Sequence, residues 1–120
     1  MLFDLGHAAS HVTAHQRWAT GTLVDSANVQ GGMSFGNNLT AGDGEGWSMG
    51  WGVFWNSVSD VVAQAPPGGT NWAVGCTGAP ATATDLGAYE SANAPVRIKS
   101  LYLAQLCERL GRAAVSNLGY

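Results

Sequence analysis

The stretch TGTLVDSANV (20–29) decides the fold, because it combines β-branched and apolar residues in short runs with turn formers at both ends. Two later stretches have the same character: WGVFWNSVSDVVA (51–63), which PPGG (66–69) ends, and NWAVGC (71–76). Each predicted strand has roughly three to six residues and cannot bury its own apolar face. Stacking one coil on the next lets such strands share a core, as in a solenoid, although a small sandwich fits the same strand lengths.

The composition is that of a neutral, turn-rich β protein. The chain has 120 residues, of which 17 are Gly and 5 are Trp, and charged residues make up only 11 %. An ordinary globular domain has about 25 % charged residues. The net charge of −3 gives no electrostatic attraction for phosphate, so we expect no nucleic-acid partner.

The chain is predicted to form one domain over residues 1–120. Residues 1–19 are expected to be an irregular N-terminal segment, 20–76 to form the coils and 77–99 an extended loop. Ser100 can cap a helix and leucines recur at helical spacing after it, which predicts one helix over 100–115. Cys76 and Cys107 show no metal or redox spacing, so free thiols are favoured over a disulfide.

No apolar run is long enough to predict a membrane span. The first residues show neither a basic region nor a long apolar core, so no signal peptide is predicted in this chain.

Four segments, in this order and spacing, are similar to the C-terminal part of bacterial secreted right-handed parallel β-helix proteins, the pectate-lyase-like carbohydrate-active family. They are HQRWATG (15–21), GEGW (44–47) followed by VFWN (53–56), PP (66–67) followed by NWAVGC (71–76), and SLYLAQL (100–106) with ERLG (108–111). The resemblance implies a mostly β fold, a right-handed parallel β-helix fragment with a C-terminal helix. It also implies an extracellular or periplasmic protein whose partner is a polysaccharide.

His15 and Arg17 are the first candidate catalytic residues. A β-eliminating lyase needs a cation to neutralise a uronate carboxylate and a base to remove the neighbouring proton. Arg binds carboxylates bidentately and stays charged, which suits the first role. The alternative is that Arg17 forms a structural ion pair or covers a Trp face.

Asp43 and Glu45 lie two residues apart in a Gly-rich loop. Paired carboxylates can share the acid and base roles of glycoside hydrolysis, or they can hold a calcium ion. No other cofactor is expected. A solvated turn is the alternative interpretation.

The segment GWSMG (46–50) matches the G-x-S-x-G motif, in which Ser48 would be a nucleophile. The preceding Gly-Asp-Gly-Glu sequence does not predict the buried strand that such a motif follows. His7, His11 and His15 share one face if they lie on a helix and could then bind zinc. We assign no metal ligands from this pattern, because ordinary surface or loop histidines are the favoured interpretation.

Tryptophan supplies either core packing or a flat face for a sugar ring. Trp18, Trp47 and Trp51 are the candidates for substrate binding. The leading hypothesis is a protein that acts on or binds polysaccharide, as a lyase or a glycoside hydrolase. The alternatives are a small serine esterase that uses Ser48 and a non-catalytic, self-assembling module. Unpaired strand edges at the ends of a short solenoid favour a homo-oligomer.

Overall fold

The computed structural model describes residues 2–3, 11–14, 18–40, 44–79 and 82–120. This part of the chain is mostly β, with two helices at its C-terminal end. The elements, in chain order, are β1 Leu2–Phe3, β2 Val12–Thr13, β3 Ala19–Thr20, β4 Leu23–Asp25, β5 Met33–Phe35, β6 Asn37–Asn38, β7 Gly46–Trp47, β8 Met49–Gly50, β9 Val53–Trp55, β10 Val61–Ala63, β11 Trp72–Val74, β12 Ala88–Glu90, α1 Leu101–Leu110 and α2 Arg112–Ser116.

The strands pair in parallel, except in the β6–β7 hairpin. One sheet has the order β1-β4-β9-β11-β12 and a second has the order β10-β5-β2, while β3 pairs with β8. Leu23 pairs with Val53 in the five-stranded sheet, and Ala19 pairs with Met49 in the sheet of β3 and β8. In both pairs the partners are 30 residues apart in the sequence. Parallel strands need long crossover connections, so the chain does not form a sandwich built from antiparallel hairpins.

The core is a set of inward-facing columns, because side chains alternate between the two faces of each strand. Val24, Phe54, Ala73 and Tyr89 occupy one register position of the five-stranded sheet, and the first three are buried. Phe54 stacks on Phe35 of the second sheet, with ring centroids 3.9 Å apart. The two sheets therefore share one apolar interior.

The chain turns at the same place after each of four strands. Ser26, Asn56, Gly75 and Ser91 directly follow β4, β9, β11 and β12, and all have positive φ, between 44° and 65°. We call these four residues the corner column. The amide of Ser26 donates to the carbonyl of Trp55 at 2.8 Å, and the amide of Asn56 donates to Val74 at 2.8 Å. These bonds hold successive corners in register and offset the cost of a left-handed backbone, about 1–2 kcal/mol for a residue other than glycine.

A buried asparagine ties two successive segments together. Asn71 is fully buried, and its Nδ2 donates to the carbonyls of Met49 at 3.1 Å and Gln64 at 2.8 Å. Its Oδ1 accepts from the amide of Gly52 at 2.8 Å. The side-chain amide thus bonds three backbone groups from different parts of the chain.

The C-terminal region differs from the sequence prediction in two ways. The predicted helix over 100–115 is two helices, because Gly111 has φ of 82° between them. The predicted extended loop 77–99 contains strand β12, whose pairing with β11 depends on a distant partner rather than on its own sequence. The predicted cap is present, since Ser100 Oγ accepts from the amide of Leu103 at 3.1 Å.

Helix α1 is attached to the sheet through its N-terminus. The buried Asp25 carboxylate accepts from Ser100 Oγ at 2.7 Å and from the amide of Tyr102 at 2.9 Å. A carboxylate at this end of a helix is favoured by the unpaired amides and by the helix dipole. Asn56 Nδ2 donates to the carbonyl of Ile98 at 2.8 Å, so the corner column also holds the segment before the helix.

A substitution at Gly52 tests the packing of the shared apolar interior. A Cβ at Gly52 would lie 2.7 Å from the Phe35 ring, which is itself held against Phe54. We expect Gly52→Ala to lower the free energy of unfolding by about 1–3 kcal/mol, as measured by urea denaturation. Gly69→Ala is the matched control, because its Cβ would meet Trp51 at an ordinary 3.4 Å. Equal urea midpoints for the two variants would contradict the packing described.

Candidate functional site

Three tryptophans form an aromatic surface that we call the tryptophan ridge: Trp18, Trp51 and Trp72. Trp18 lies directly before β3 and is 43 % exposed, and Trp51 lies directly after β8 and is 49 % exposed. The rings of Trp51 and Trp72 have centroids 5.8 Å apart, with planes inclined at 36°. Both Trp18 and Trp51 have positive φ, 53° and 60°.

Glycines and a proline form the floor of the tryptophan ridge. A Cβ added to Gly50 would lie 3.3 Å from the ring of Trp18, and one added to Gly69 would lie 3.4 Å from the ring of Trp51. The Cγ atom of Pro66 is within 3.7 Å of both added positions. The rings therefore lie close to the backbone, and residues without bulky side chains make room for them.

The ridge presents flat apolar faces and no charge. Its members and its floor are Trp, Gly and Pro residues, none of which ionises. The indole rings bring large area and a polar N–H, which suits contact with a ligand that has both apolar and hydroxyl-bearing faces. The arrangement can bind and orient such a ligand, and it supplies no acid, base or nucleophile of its own.

The predicted substrate-binding residues divide between two places. Trp18 and Trp51 lie on the ridge, whereas Trp47 is half-buried in β7, where it pairs with Asn37 of the hairpin. Trp72 is the ridge residue that the sequence prediction missed. Its sequence NWAVGC indicated only a strand, and its proximity to Trp51 depends on a pairing register that no local signal shows.

The predicted catalytic residues His15, Arg17 and Asp43 lie outside the described residues, as does His7 of the histidine pattern. Glu45 is half-buried immediately before β7. Among the residues that the structure describes, no group of three or more His, Cys, Asp or Glu side chains could hold a metal ion. The lyase, hydrolase and calcium hypotheses therefore stay predictions.

Ser48 occupies a structural position between β7 and β8. It is 1 % exposed, and its hydroxyl donates to the carbonyl of Gly36 at 2.8 Å. Its own amide donates to the same carbonyl at 3.1 Å, and its carbonyl accepts from Ala19 at 2.9 Å. A nucleophile elbow places its serine in an exposed turn between a strand and a helix, whereas this serine is followed by a strand.

Helices in the described part of the chain are too short or too polar to cross a membrane. No protein-family model matches the chain, and neither the curated proteins nor the solved structures include a significant match.

The position of Ser48 leads to a direct prediction. Ser48→Ala removes a buried hydrogen bond and should lower the free energy of unfolding by about 0.5–1.5 kcal/mol in urea denaturation. Ser116→Ala, at an exposed position of α2, is the control and should leave stability unchanged. If the protein cleaves a p-nitrophenyl ester and Ser48→Ala alone abolishes that activity, a purely structural role for Ser48 is ruled out.

Proposed function

We propose that this chain is part of a right-handed parallel β-helix that binds a polysaccharide through the tryptophan ridge. The fold part of this proposal is supported by the parallel pairing of short strands and by the corner column, which turns the chain at one repeated position. The binding part is supported by one observation above the others, the exposure of two neighbouring indole faces on a floor of Gly and Pro.

The chemistry of a sugar ring fits this surface. A pyranose has a face of C–H groups that packs on an aromatic ring, while its hydroxyls remain in water or bond to nearby polar groups. Exposed tryptophans that lose water on binding contribute strongly to affinity, often about 2 kcal/mol or more for each. Trp18, Trp51 and Trp72 are uncharged, which favours a neutral polysaccharide. A uronan would need cations such as Arg17, which lies outside the described residues, or Lys side chains.

The two alternative functions have less support. The esterase hypothesis requires access to Ser48, whose side chain is buried and bonded to Gly36. The self-assembly hypothesis requires a strand edge that another chain can join. The last strand of the five-stranded sheet, β12, has three residues and ends at the exposed Glu90, and short charged edges disfavour such pairing.

Binding is tested with variants that remove an indole and keep the backbone. Asn tolerates positive φ better than most residues, so Trp51→Asn and Trp18→Asn should fold normally. We expect each variant to weaken binding to a neutral polysaccharide about tenfold or more, measured by titration calorimetry or affinity electrophoresis. Leu118→Asn, at an exposed apolar residue near the C-terminus, is the matched control and should bind like the parent protein.

Two results would overturn the proposal. One is parental affinity in a folded Trp51→Asn variant, which would exclude the ridge as the binding surface. The other is that the parent protein binds no member of a panel made up of neutral polysaccharides (glucans, mannans and xylans) and anionic uronans. Binding of uronans alone, with loss of affinity at high salt, would contradict the preference for a neutral polymer.

A further inference from the structure

A cavity of ≈ 320 Å³ lies beside strands β10, β11 and β12, away from the ridge residues. Its walls are mostly apolar side chains, among them Val61, Ala73, Cys76, Leu86, Tyr89 and Ala92. Ala73 of β11 and Tyr89 of β12 are register partners, and both line the cavity. Tyr89 is the last residue of the inward-facing column of the five-stranded sheet. The small side chain at Ala73 leaves space that the last strand does not fill.

Several polar groups around the cavity are already bonded to the backbone. The Tyr89 hydroxyl accepts from the amide of Ala63 at 2.8 Å and donates to the carbonyl of Val61 at 3.3 Å. The amide of Ser59 donates to the carbonyl of Thr77 at 2.9 Å, and that of Gly87 donates to Ala63 at 2.8 Å. An added strand would pair along the outer edge of β12, whereas the cavity is walled mainly by side chains and has the volume of a small-molecule site.

The volume and the lining limit the class of that molecule. Ligand pockets have volumes of about 300–1,000 Å³, and an apolar cavity of about 150 Å³ is enough to bind benzene. The hydroxyl of Tyr89 already donates to and accepts from the backbone, and burial raises the pKa of the Cys76 thiol, which favours its neutral form. The lining includes no charged side chain, and its other polar side chains, Ser59 and Asn93, also bond to the backbone.

We propose that this cavity binds a small, neutral, apolar molecule about the size of two fused rings. Val61, Ala73 and Leu86 supply apolar contact, and Cys76 lies in the wall as a reporter of occupancy. The inference does not depend on polysaccharide binding, because none of the ridge residues lines the cavity.

Naphthalene is the probe, and alkylation of the two thiols is the measurement. The protein is treated with iodoacetamide in mildly alkaline buffer, with and without naphthalene near its aqueous saturation, and each thiol is followed by peptide mass spectrometry. We expect naphthalene to slow alkylation of Cys76 at least about threefold, which corresponds to a probe concentration about twice its Kd. Cys107, which lies in α1 and outside this cavity, is the internal control and should react at an unchanged rate.

A variant that fills the cavity distinguishes binding there from binding elsewhere. Ala92 is exposed at the edge of the cavity, so Ala92→Trp should fold and should abolish the protection of Cys76. Leu86→Trp, at a second lining position, is used if the first variant is misfolded by circular dichroism. Ala113→Trp, exposed on α2, is the matched control and should keep the protection. Unprotected Cys76 in the parent protein, or full protection in a folded cavity-filling variant, would overturn the proposal.

Discussion

Backbone hydrogen bonding between parallel segments far apart in the chain is the constraint on which the rest of the structure depends. The strands have two or three residues each, too few to be stable alone, so their amides and carbonyls must find partners in another turn of the chain. The corner column makes this possible in the five-stranded sheet, because it ends β4, β9, β11 and β12 at the same register position. Ending the strands in this way places Ser26, Asn56 and Ser91 at positive φ, which strains their backbone. The hydrogen bonds between successive corners offset this strain.

The two candidate sites follow from this stacking. On the outside, the exposed rings of Trp18 and Trp51 lie against Gly50 and Gly69, two positions that share Pro66 as a neighbour. On the inside, side chains at one register position form a column that ends at Tyr89. The ridge and the cavity differ in exposure and in chemistry, which is why we propose a different class of ligand for each.

The sequence predicted what local patterns control. The strand-forming stretches 20–29, 51–63 and 71–76 contain β4, β9, β10 and β11, and Ser100 caps a helix, because these features depend on neighbouring residues. Strand β12, the place of Trp72 on the ridge and the burial of Ser48 were not predictable. Each depends on contacts between residues far apart in the chain. The G-x-S-x-G pattern around Ser48 was misleading because its meaning depends on the elements that flank it.

Hydrogen exchange at the corner column tests the central claim most directly. The amides of Ser26, Asn56 and Gly75 donate bonds of 2.8, 2.8 and 2.9 Å to the next segment. The strand amide of Val53 donates a bond of 2.9 Å to Thr22 in the preceding segment. Amide exchange followed by NMR should therefore show these three corner amides protected to a degree similar to Val53. Exchange of the corner amides at the rate of an unstructured peptide, with Val53 still protected, would contradict the account.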